Sequence, residues 1–369
     1  MHRSVCRWGI LGAAEIARKN WQAIRNASNC TLTAVASRDP EKCRRFVAEC
    51  QSHVPFPVPP QVCGSYEELL SSDAVDAVYL PLPTVVRKSW AIRAAEAGKH
   101  VLSEKPAGAT AADVREILAA CRRNGVQFMD GVMFLHSRRL ERIRQLLDDG
   151  TSVGQVRRIA SHFAFPGSED FFQHDIRTHS GLEPLGCLGD LGWYNIGLTL
   201  WVMRGQLPVR VCGHRLAEHH RSDSPAAVPI EFSAELFYED GASASLYCSF
   251  RTENEQWAHI SGTRGWLYIP DFVLPHLGSE VAFELGKPVL ALRGCDFNME
   301  QHTRRIAVSE YSNSHETSQE ANLFRHFADL VLAGRPDPHW GQIALGTQQV
   351  LDACLQSARS AGRMIDLPA

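Results

Sequence analysis

The chain has 369 residues, of which 44% are hydrophobic and 21% charged, and its formal net charge is −3. This length exceeds what one hydrophobic core usually serves, so two domains are expected, and the composition excludes wholesale disorder. Charges of both signs are interspersed along the chain, so we expect neither nucleic acid nor an anionic membrane as a partner.

The 11 cysteines are scattered singly from Cys6 to Cys354, without a Cys-x-x-Cys pair. An odd, dispersed set suits a reducing compartment, where cysteine behaves as a small apolar residue. The first predicted strand begins at residue 5 and leaves no room for a signal peptide, and no apolar run approaches the ~18 residues of a membrane span. Together these features predict a cytoplasmic protein.

Strand and helix patterns alternate through the first third of the chain. Amphipathic stretches follow several short apolar runs, and one predicted helix extends from about residue 85 to 97. The predicted strands are 5–12, 30–36, 74–83, 100–103 and 126–130. This alternation is typical of a parallel, doubly wound sheet, and we predict a Rossmann domain over residues 1–130.

The pattern changes after residue 130. A helix over about 136–149 precedes longer strands of alternating polarity, which predict an antiparallel sheet with one open face. Examples are the strands 156–165, 230–239 and 242–250, and helices are predicted near the end at 316–334 and 342–361. The polar stretch 284–318 is expected to be a long irregular loop. We therefore predict a C-terminal α/β domain over 131–369 with a large, predominantly antiparallel open sheet.

The turn after the first strand reads Gly12-Ala13-Ala14-Glu15-Ile16-Ala17, a G-x-A-x-x-A version of the dinucleotide fingerprint. Gly12 permits a tight turn, and the small Ala14 and Ala17 allow a pyrophosphate and the sheet to approach the helix closely. An ordinary turn between strand and helix is the alternative. The position of the turn directly after the first strand of a parallel sheet favours dinucleotide binding.

Ser37-Arg38-Asp39 follows the second predicted strand. An NAD site usually places an acidic residue here, whereas a hydroxyl and a guanidinium suit the 2′-phosphate of NADP. The alternative is that Arg38 is a solvated surface residue. We predict NADP as the cofactor, with NAD possible.

The sequence Glu104-Lys105-Pro106 stands at the carboxyl end of another predicted strand, where open α/β sheets bind ligands. A lysine beside a nicotinamide can donate a hydrogen bond to a substrate oxygen. Without further context, an exposed strand end would be the better explanation of this tripeptide.

These segments resemble the glucose–fructose oxidoreductase/inositol dehydrogenase/rhizopine catabolism (Gfo/Idh/MocA) family. The resemblance rests on 7–17, Ala36-Ser-Arg-Asp39 and 91–106, and it extends over nearly the whole chain. It implies a Rossmann domain plus a mainly antiparallel α/β domain, with NAD(P) bound at their junction. The segments 128–133 and 186–194 look most like a plant- and bacterial-type branch of unassigned oxidoreductases, with the dimeric dihydrodiol dehydrogenases more distant.

The resemblance also implies site residues. Lys105, Asp190 and Tyr194 would be catalytic, and Arg177 would lie near the substrate. Asp190 and Tyr194 are four residues apart, so they share one face of the helix predicted to start near Cys187. A cationic lysine would lower the pKa of Tyr194 and let it exchange a proton with substrate. The alternative for Tyr194 is an aromatic core residue.

The resemblance extends the predicted cofactor site to the ends of further strands. The predicted cofactor residues are Gly12, Ala13, Ala14, Glu15, Ile16, Ser37, Arg38, Leu80, Pro81, Leu82, Thr84, Arg87, Glu104 and Lys105. Relatives often have Asn and His where this chain has Thr84 and Arg87, and Tyr/Trp-Arg where it has Phe134-Leu135-His136. Both departures weaken the inference, drawn from the family, that the substrate is a sugar.

No metal site is predicted, because His162, His174 and His179 lack the spacing of a ligand set. The first functional hypothesis is an NADP(H)-dependent oxidoreductase acting on a small hydroxyl or carbonyl compound, such as a sugar, polyol or diol. The second is a non-catalytic NADP-binding regulator of the same fold, and a third is an enzyme that keeps its cofactor through a full cycle. We also expect a homodimer formed through the C-terminal sheet.

Overall fold

Six short parallel strands form the first sheet of the protein. The structure is a computed structural model that describes residues 5–313 and 315–367. The strands are β1 (Cys6–Leu11), β2 (Cys30–Ala36), β3 (Gln61–Cys63), β4 (Ala77–Leu80), β5 (His100–Ser103) and β6 (Phe128–Asp130). Their order is β3-β2-β1-β4-β5-β6, which is the order of a Rossmann fold and confirms the predicted doubly wound sheet.

Helices connect these strands, as the amphipathic patterns predict. They are α1 (Glu15–Asn26), α2 (Pro40–His53), α3 (Tyr66–Ser71), α4 (Thr84–Glu96) and α5 (Ala111–Arg123). The strands are apolar and buried: Trp8 and Ile10 of β1 have no exposed surface. This burial on both faces explains why the strands read as continuous apolar runs rather than as alternating ones.

The rest of the chain builds a nine-stranded sheet. Its strands are β7 (Val156–Ala164), β8 (Arg210–His219), β9 (Val228–Phe237), β10 (Ser243–Ser249), β11 (Glu255–Gly262), β12 (Trp266–Ile269), β13 (Glu280–Gly286), β16 (Thr303–Ser309) and β17 (Ile365–Asp366). Their order is β16-β13-β12-β11-β7-β10-β9-β8-β17, and every pair is antiparallel except β7 with β10. The predicted open, predominantly antiparallel sheet is confirmed.

The remaining helices pack against these two sheets. They are α6 (Arg138–Asp148), α7 (Glu169–His174), α8 (Trp193–Val202), α9 (Gln319–Ala333) and α10 (Pro338–Arg359). Helix α8 lies against β7 and β10, and α10 lies against β8. Helix α9 returns to the first sheet, where Phe324 contacts Trp8 with 5.0 Å between ring centroids. A π-helical turn over Leu188–Gly192 leads directly into α8.

The prediction of an irregular loop over 284–318 was wrong. This stretch contains β16, an edge strand, and a separate hairpin formed by β14 (Val289–Arg293) and β15 (Asp296–Glu300). Strand β16 is mostly exposed, and charged edge strands lack the apolar alternation by which strands are recognised. The hairpin carries Leu290 opposite Met299 and Leu292 opposite Phe297, all more than half exposed.

Candidate active site

A cleft of about 1140 Å³ runs along the carboxyl ends of the first sheet's strands and faces the second sheet. The residues that follow β1, β2, β4, β5 and β6 all contribute to its lining. Strands β1 and β4 are neighbours here although β2 and β3 lie between them in the chain, which makes this the point where strand order reverses. Ligands of open α/β sheets bind at such a point.

The turn after β1 has the geometry that a dinucleotide phosphate requires. Gly12 has a φ of 127°, in the region that favours glycine, and an added Cβ would lie 3.3 Å from Leu82. Helix α1 begins after Ala14, whose side chain cannot cap the helix, so the first N–H groups remain available to an anion. Both features fit a pyrophosphate, and the predicted dinucleotide turn is present as a backbone arrangement.

The end of β2 presents two cations to the cleft. Arg38 and Lys42 both line it, and neither forms an ion pair with any residue in the described ranges. Ser37 beside them is buried, and its hydroxyl accepts a hydrogen bond from the Asp39 N–H. Lys42 was missed in the sequence; it lies in the first turn of α2, the helix that follows β2, so its closeness to the end of that strand was a usable signal.

Most of the predicted site residues meet in this cleft. They are Gly12, Ala13, Ala14, Ile16, Ser37, Arg38, Pro81, Leu82, Arg87, Glu104, Lys105, Arg177, Asp190 and Tyr194. Three others lie outside its lining for separate reasons. Leu80 is fully buried in the sheet, Glu15 points to solvent and pairs with Arg18, and Thr84 is enclosed against Glu183.

Lys105, Asp190 and Arg177 form an ionic network at the centre of the cleft. Lys105 Nζ donates to the carboxylate of Asp190 and, at 2.7 Å, to its backbone carbonyl oxygen. Arg177 Nε lies 3.0 Å from the other carboxylate oxygen. Burial by itself would raise the pKa of Asp190, but the attraction of Arg177 and Lys105 outweighs it and lowers the pKa to about 2. The carboxylate is therefore ionised and holds both cations in place.

Tyr194 lies directly beside this network. Lys105 Nζ is 4.9 Å from the centroid of its ring, so Lys105 contacts both Asp190 and Tyr194, as their predicted shared face requires. The Tyr194 hydroxyl donates weakly to Met133 Sδ at 3.8 Å. Burial and the nearby Glu104 and Asp190 raise the pKa of Tyr194 well above 10, contrary to the expected lowering. The charge of Lys105 acts on Asp190 instead, and the phenol stays protonated.

Glu104 is directed toward the interior of the first sheet. Its carboxylate accepts a 2.6 Å hydrogen bond from the Tyr79 hydroxyl, which in turn accepts one of 2.6 Å from the Asn20 amide. The backbone N–H of Lys105 also donates to Glu104 at 3.3 Å. This chain of hydrogen bonds fixes the main chain at the point where Lys105 leaves β5, so Glu104 positions the lysine.

Two further polar contacts, Asp130 with Trp193 and Arg87 with Glu183, link the chain that builds the first sheet to the chain that follows it. Asp130, at the end of β6, accepts a 2.9 Å hydrogen bond from the indole of Trp193 at the start of α8. Complete burial raises the pKa of Asp130 to about 7, against the opposing effect of this hydrogen bond. On α4, Arg87 donates at 2.8 Å to the Thr84 hydroxyl and at 2.6 Å to the Pro106 carbonyl oxygen, and it faces Glu183.

The side of the cleft away from the first sheet is largely apolar. Phe163 packs edge-on against Tyr194 with 5.6 Å between centroids, and Phe165 packs edge-on against Phe171 at 5.3 Å. Leu274 also lines the cleft, and both of its backbone polar groups bond to the Gln256 side chain at 2.6 Å. These residues come from distant segments, and no sequence motif predicted them.

The three histidines that the sequence placed close together do not converge. His162 lies on the open face of the large sheet, His174 pairs with Asp170 at the surface, and His179 contacts the Asp223 carbonyl oxygen. Within 5–313 and 315–367, no three His, Cys, Asp or Glu side chains are arranged to hold a metal ion.

Both parts of the chain match models of one protein family. Residues 6–132 match the family model GFO_IDH_MocA, "Oxidoreductase family, NAD-binding Rossmann fold", and residues 140–268 match the model of the GFO/IDH/MocA C-terminal domain. The chain is 34% identical to dTDP-3,4-didehydro-2,6-dideoxy-alpha-D-glucose 3-reductase of Saccharopolyspora spinosa over 72% of this chain and 75% of that protein. It is 29% identical to trans-1,2-dihydrobenzene-1,2-diol dehydrogenase of Mus musculus over 73% of this chain and 76% of that protein.

A solved structure extends the likeness to nearly the full length. A 3-ketoreductase from Actinomadura kijaniata, in complex with NADP and TDP-benzene, superimposes with a TM-score of 0.79 at 26% identity. The match covers 96% of this chain and 98% of that one. Both sheets are therefore shared with a protein that holds NADP.

Proposed function

The chain belongs to the Gfo/Idh/MocA oxidoreductase family, and on that premise we propose that it is an NADP(H)-dependent oxidoreductase that interconverts a hydroxyl and a carbonyl group on a small molecule. The substrate would be a sugar, polyol or diol-like compound, since the relatives named above act on a dTDP-linked ketosugar and on a dihydrobenzene diol. The single observation that carries the proposal is the contact of Lys105 with both Asp190 and Tyr194 inside the cofactor cleft.

The residues of the cleft fit NADP. The turn at Gly12 and the uncapped start of α1 would receive the pyrophosphate, and Ser37, Arg38 and Lys42 would hold the 2′-phosphate. When bound, NADPH supplies a hydride to the substrate carbon. The predicted preference for NADP is supported by the two unpaired cations at the end of β2.

Side chains of the protein would transfer the proton to and from the substrate oxygen. During reduction the oxygen gains one proton, and Tyr194, which stays protonated, is suited to donate it. Lys105 would donate a hydrogen bond to the same oxygen and offset the negative charge that develops there. Asp190 would keep Lys105 cationic and correctly oriented, with Arg177 completing the network. Oxidation is the reverse of this step, so it would start from the Tyr194 phenolate, which takes the proton back from the substrate hydroxyl.

Assays with NADPH and a panel of small ketones and aldehydes, and with NADP⁺ and the matching alcohols, test the proposal. Tyr194→Phe should lower kcat by about 10²–10⁴-fold while leaving the Kd for NADPH unchanged. Tyr238→Phe is the matched control: Tyr238 is equally buried but does not line the cleft, so kcat should not fall. Tight NADPH binding without turnover of any compound would favour the non-catalytic regulator instead.

We also propose a homodimer, formed through the open face of the large sheet. Across β10, β7 and β11 this face carries Tyr247, His162 and Trp257 in one aromatic row, with ring centroids 4.7 and 5.7 Å apart, all three only partly buried. Helices α8 and α10 pack on the opposite face. A broad, partly apolar sheet face of this kind suits an isologous contact between two copies.

The proposed compartment is the cytoplasm, supported by all eleven cysteines being free thiols. No helix in the described part of the chain has the length and apolar character to cross a membrane. We further propose that the domains divide at residues 130 and 131, between the last strand of the first sheet and the chain that builds the second.

A further inference from the structure

The cations along the cleft are unevenly neutralised. At the end of β2, Arg38 and Lys42 form no ion pair with a described residue, as expected for groups that await a phosphate. Deeper in the cleft, by contrast, the cations form ion pairs with carboxylates. Lys105 is matched by Asp190, and Arg177 by both Asp190 at 3.0 Å and Asp175 at 3.2 Å.

The same balance holds for the other charged residues at the substrate end. Arg87 faces Glu183 at 3.6 Å and is enclosed by further hydrogen bonds. Glu255 adds a negative charge: its carboxylate accepts a 3.1 Å hydrogen bond from Trp257, and the side chain is half exposed. Lys19 pairs with Glu320, and the mostly exposed His276 faces Asp271 at 3.7 Å. Among the residues that the structure describes, every Lys and Arg that lines the cleft, apart from Arg38 and Lys42, therefore faces a carboxylate.

Apolar surface fills the remaining space. Ile176 and Leu274 line the cleft with 42% and 45% of their surface exposed, although both are large aliphatic residues. The edge-on pair Phe165–Phe171 continues the same wall. Exposed aliphatic groups inside a concave site gain free energy when an apolar ligand surface covers them.

We propose that the substrate is an uncharged compound with an apolar face, and that the cleft discriminates against substrates linked to a nucleoside diphosphate. This inference rests on the proposed oxidoreductase function. It separates the chain from its Saccharopolyspora relative, which is named for a dTDP-linked sugar. A diphosphate carries at least two negative charges, and binding it beside Glu255 would remove its hydration without supplying a cation.

Calorimetry and turnover with the full-length, NADP-loaded protein test the discrimination. We expect dTDP to show no binding below about 1 mM, while uncharged cyclic diols and free sugars are oxidised. Micromolar binding of dTDP, or a higher kcat/KM for a nucleotide-linked sugar than for the free compounds, would overturn the inference. Turnover of neither class, with NADP still bound, would refute the proposed function itself.

The apolar wall is tested separately through Leu274. Leu274→Ala keeps the backbone hydrogen bonds to Gln256 and removes only the exposed aliphatic surface. It should raise KM for the uncharged substrate roughly three- to tenfold at unchanged kcat, since the lost contact is equal in ground and transition states. Leu216→Ala is the matched control, because Leu216 is 52% exposed outside the cleft and should leave KM unaltered. An unaltered KM in Leu274→Ala would contradict the role of this wall.

Discussion

Replacing Asp130 by Asn should stabilise the protein at alkaline pH. Asp130 is 2% exposed, its carboxylate accepts a hydrogen bond from Trp193, and it forms no ion pair within 5–313 and 315–367. Its pKa is raised from the ordinary value of 3.8 to about 7. The unfolded chain therefore releases this proton at lower pH than the native chain does. Between pH 4 and 7 the native state binds more protons, so stability falls as pH rises through this window and is constant above it.

The magnitude follows from the same two pKa values. Their difference lowers the free energy of unfolding by about 4 kcal/mol across the whole window, and by about 3 kcal/mol between pH 5 and pH 8. Asn does not titrate, and its amide oxygen still accepts from the Trp193 indole. The advantage of Asp130→Asn over the wild type should therefore grow by about 3 kcal/mol from pH 5 to pH 8.

Urea unfolding of the cofactor-free protein at pH 5 and pH 8 measures this difference. Asp190→Asn is the control within the same site, because Asp190 has its pKa lowered to about 2. The ionised Asp190 carboxylate stabilises the native state fully above the ordinary Asp pKa of 3.8, and this stabilisation is lost only as the pH falls toward 2. Asp190→Asn should therefore be less stable than the wild type by about 2 kcal/mol or more at both pH 5 and pH 8. If Asp130→Asn lowered stability equally at pH 5 and pH 8, the buried carboxylate would be stabilised as an anion and the reasoning refuted.

The remaining predictions concern the cofactor and the assembly. Arg38→Ala should raise the Kd for NADPH about ten- to a hundredfold and leave that for NADH unchanged, as measured by fluorescence titration. Arg44→Ala, on the exposed side of α2, serves as control because Arg44 pairs with Glu41 outside the cleft; equal NADPH affinity in all three proteins would remove Arg38 from the site. Light scattering at micromolar concentration should give the mass of a dimer, and a monomer would contradict the proposed use of the open sheet face.

Local patterns predicted five of the six strands of the first sheet, because those strands are short apolar runs that alternate with helices; the three-residue β3 was missed. The turn at Gly12 and the position of Lys105 depend on neighbours in the chain, and both lie in the cleft as predicted. Asp190 and Tyr194 also face Lys105 together, since a four-residue spacing survives on one side of a helix.

Features set by distant segments could not be predicted in this way. The enclosure of Thr84 depends on Glu183, which lies 99 residues further along the chain. The direction of the pKa change at Tyr194 depends on burial and on the carboxylates around it, which a sequence does not display. Strand β16 was missed because its pairing with β13, rather than its own composition, makes it a strand.

The π-helical turn over Leu188–Gly192 determines where the Asp190 carboxylate lies. A π turn is equivalent to one extra residue accommodated in an α-helix. Asp190 lies within this turn, so its position relative to Tyr194 depends on the π geometry as well as on the four-residue spacing. A substitution that converts this turn to regular α-helix should therefore shift the Asp190 carboxylate relative to Lys105, even where the stability of the protein is unchanged.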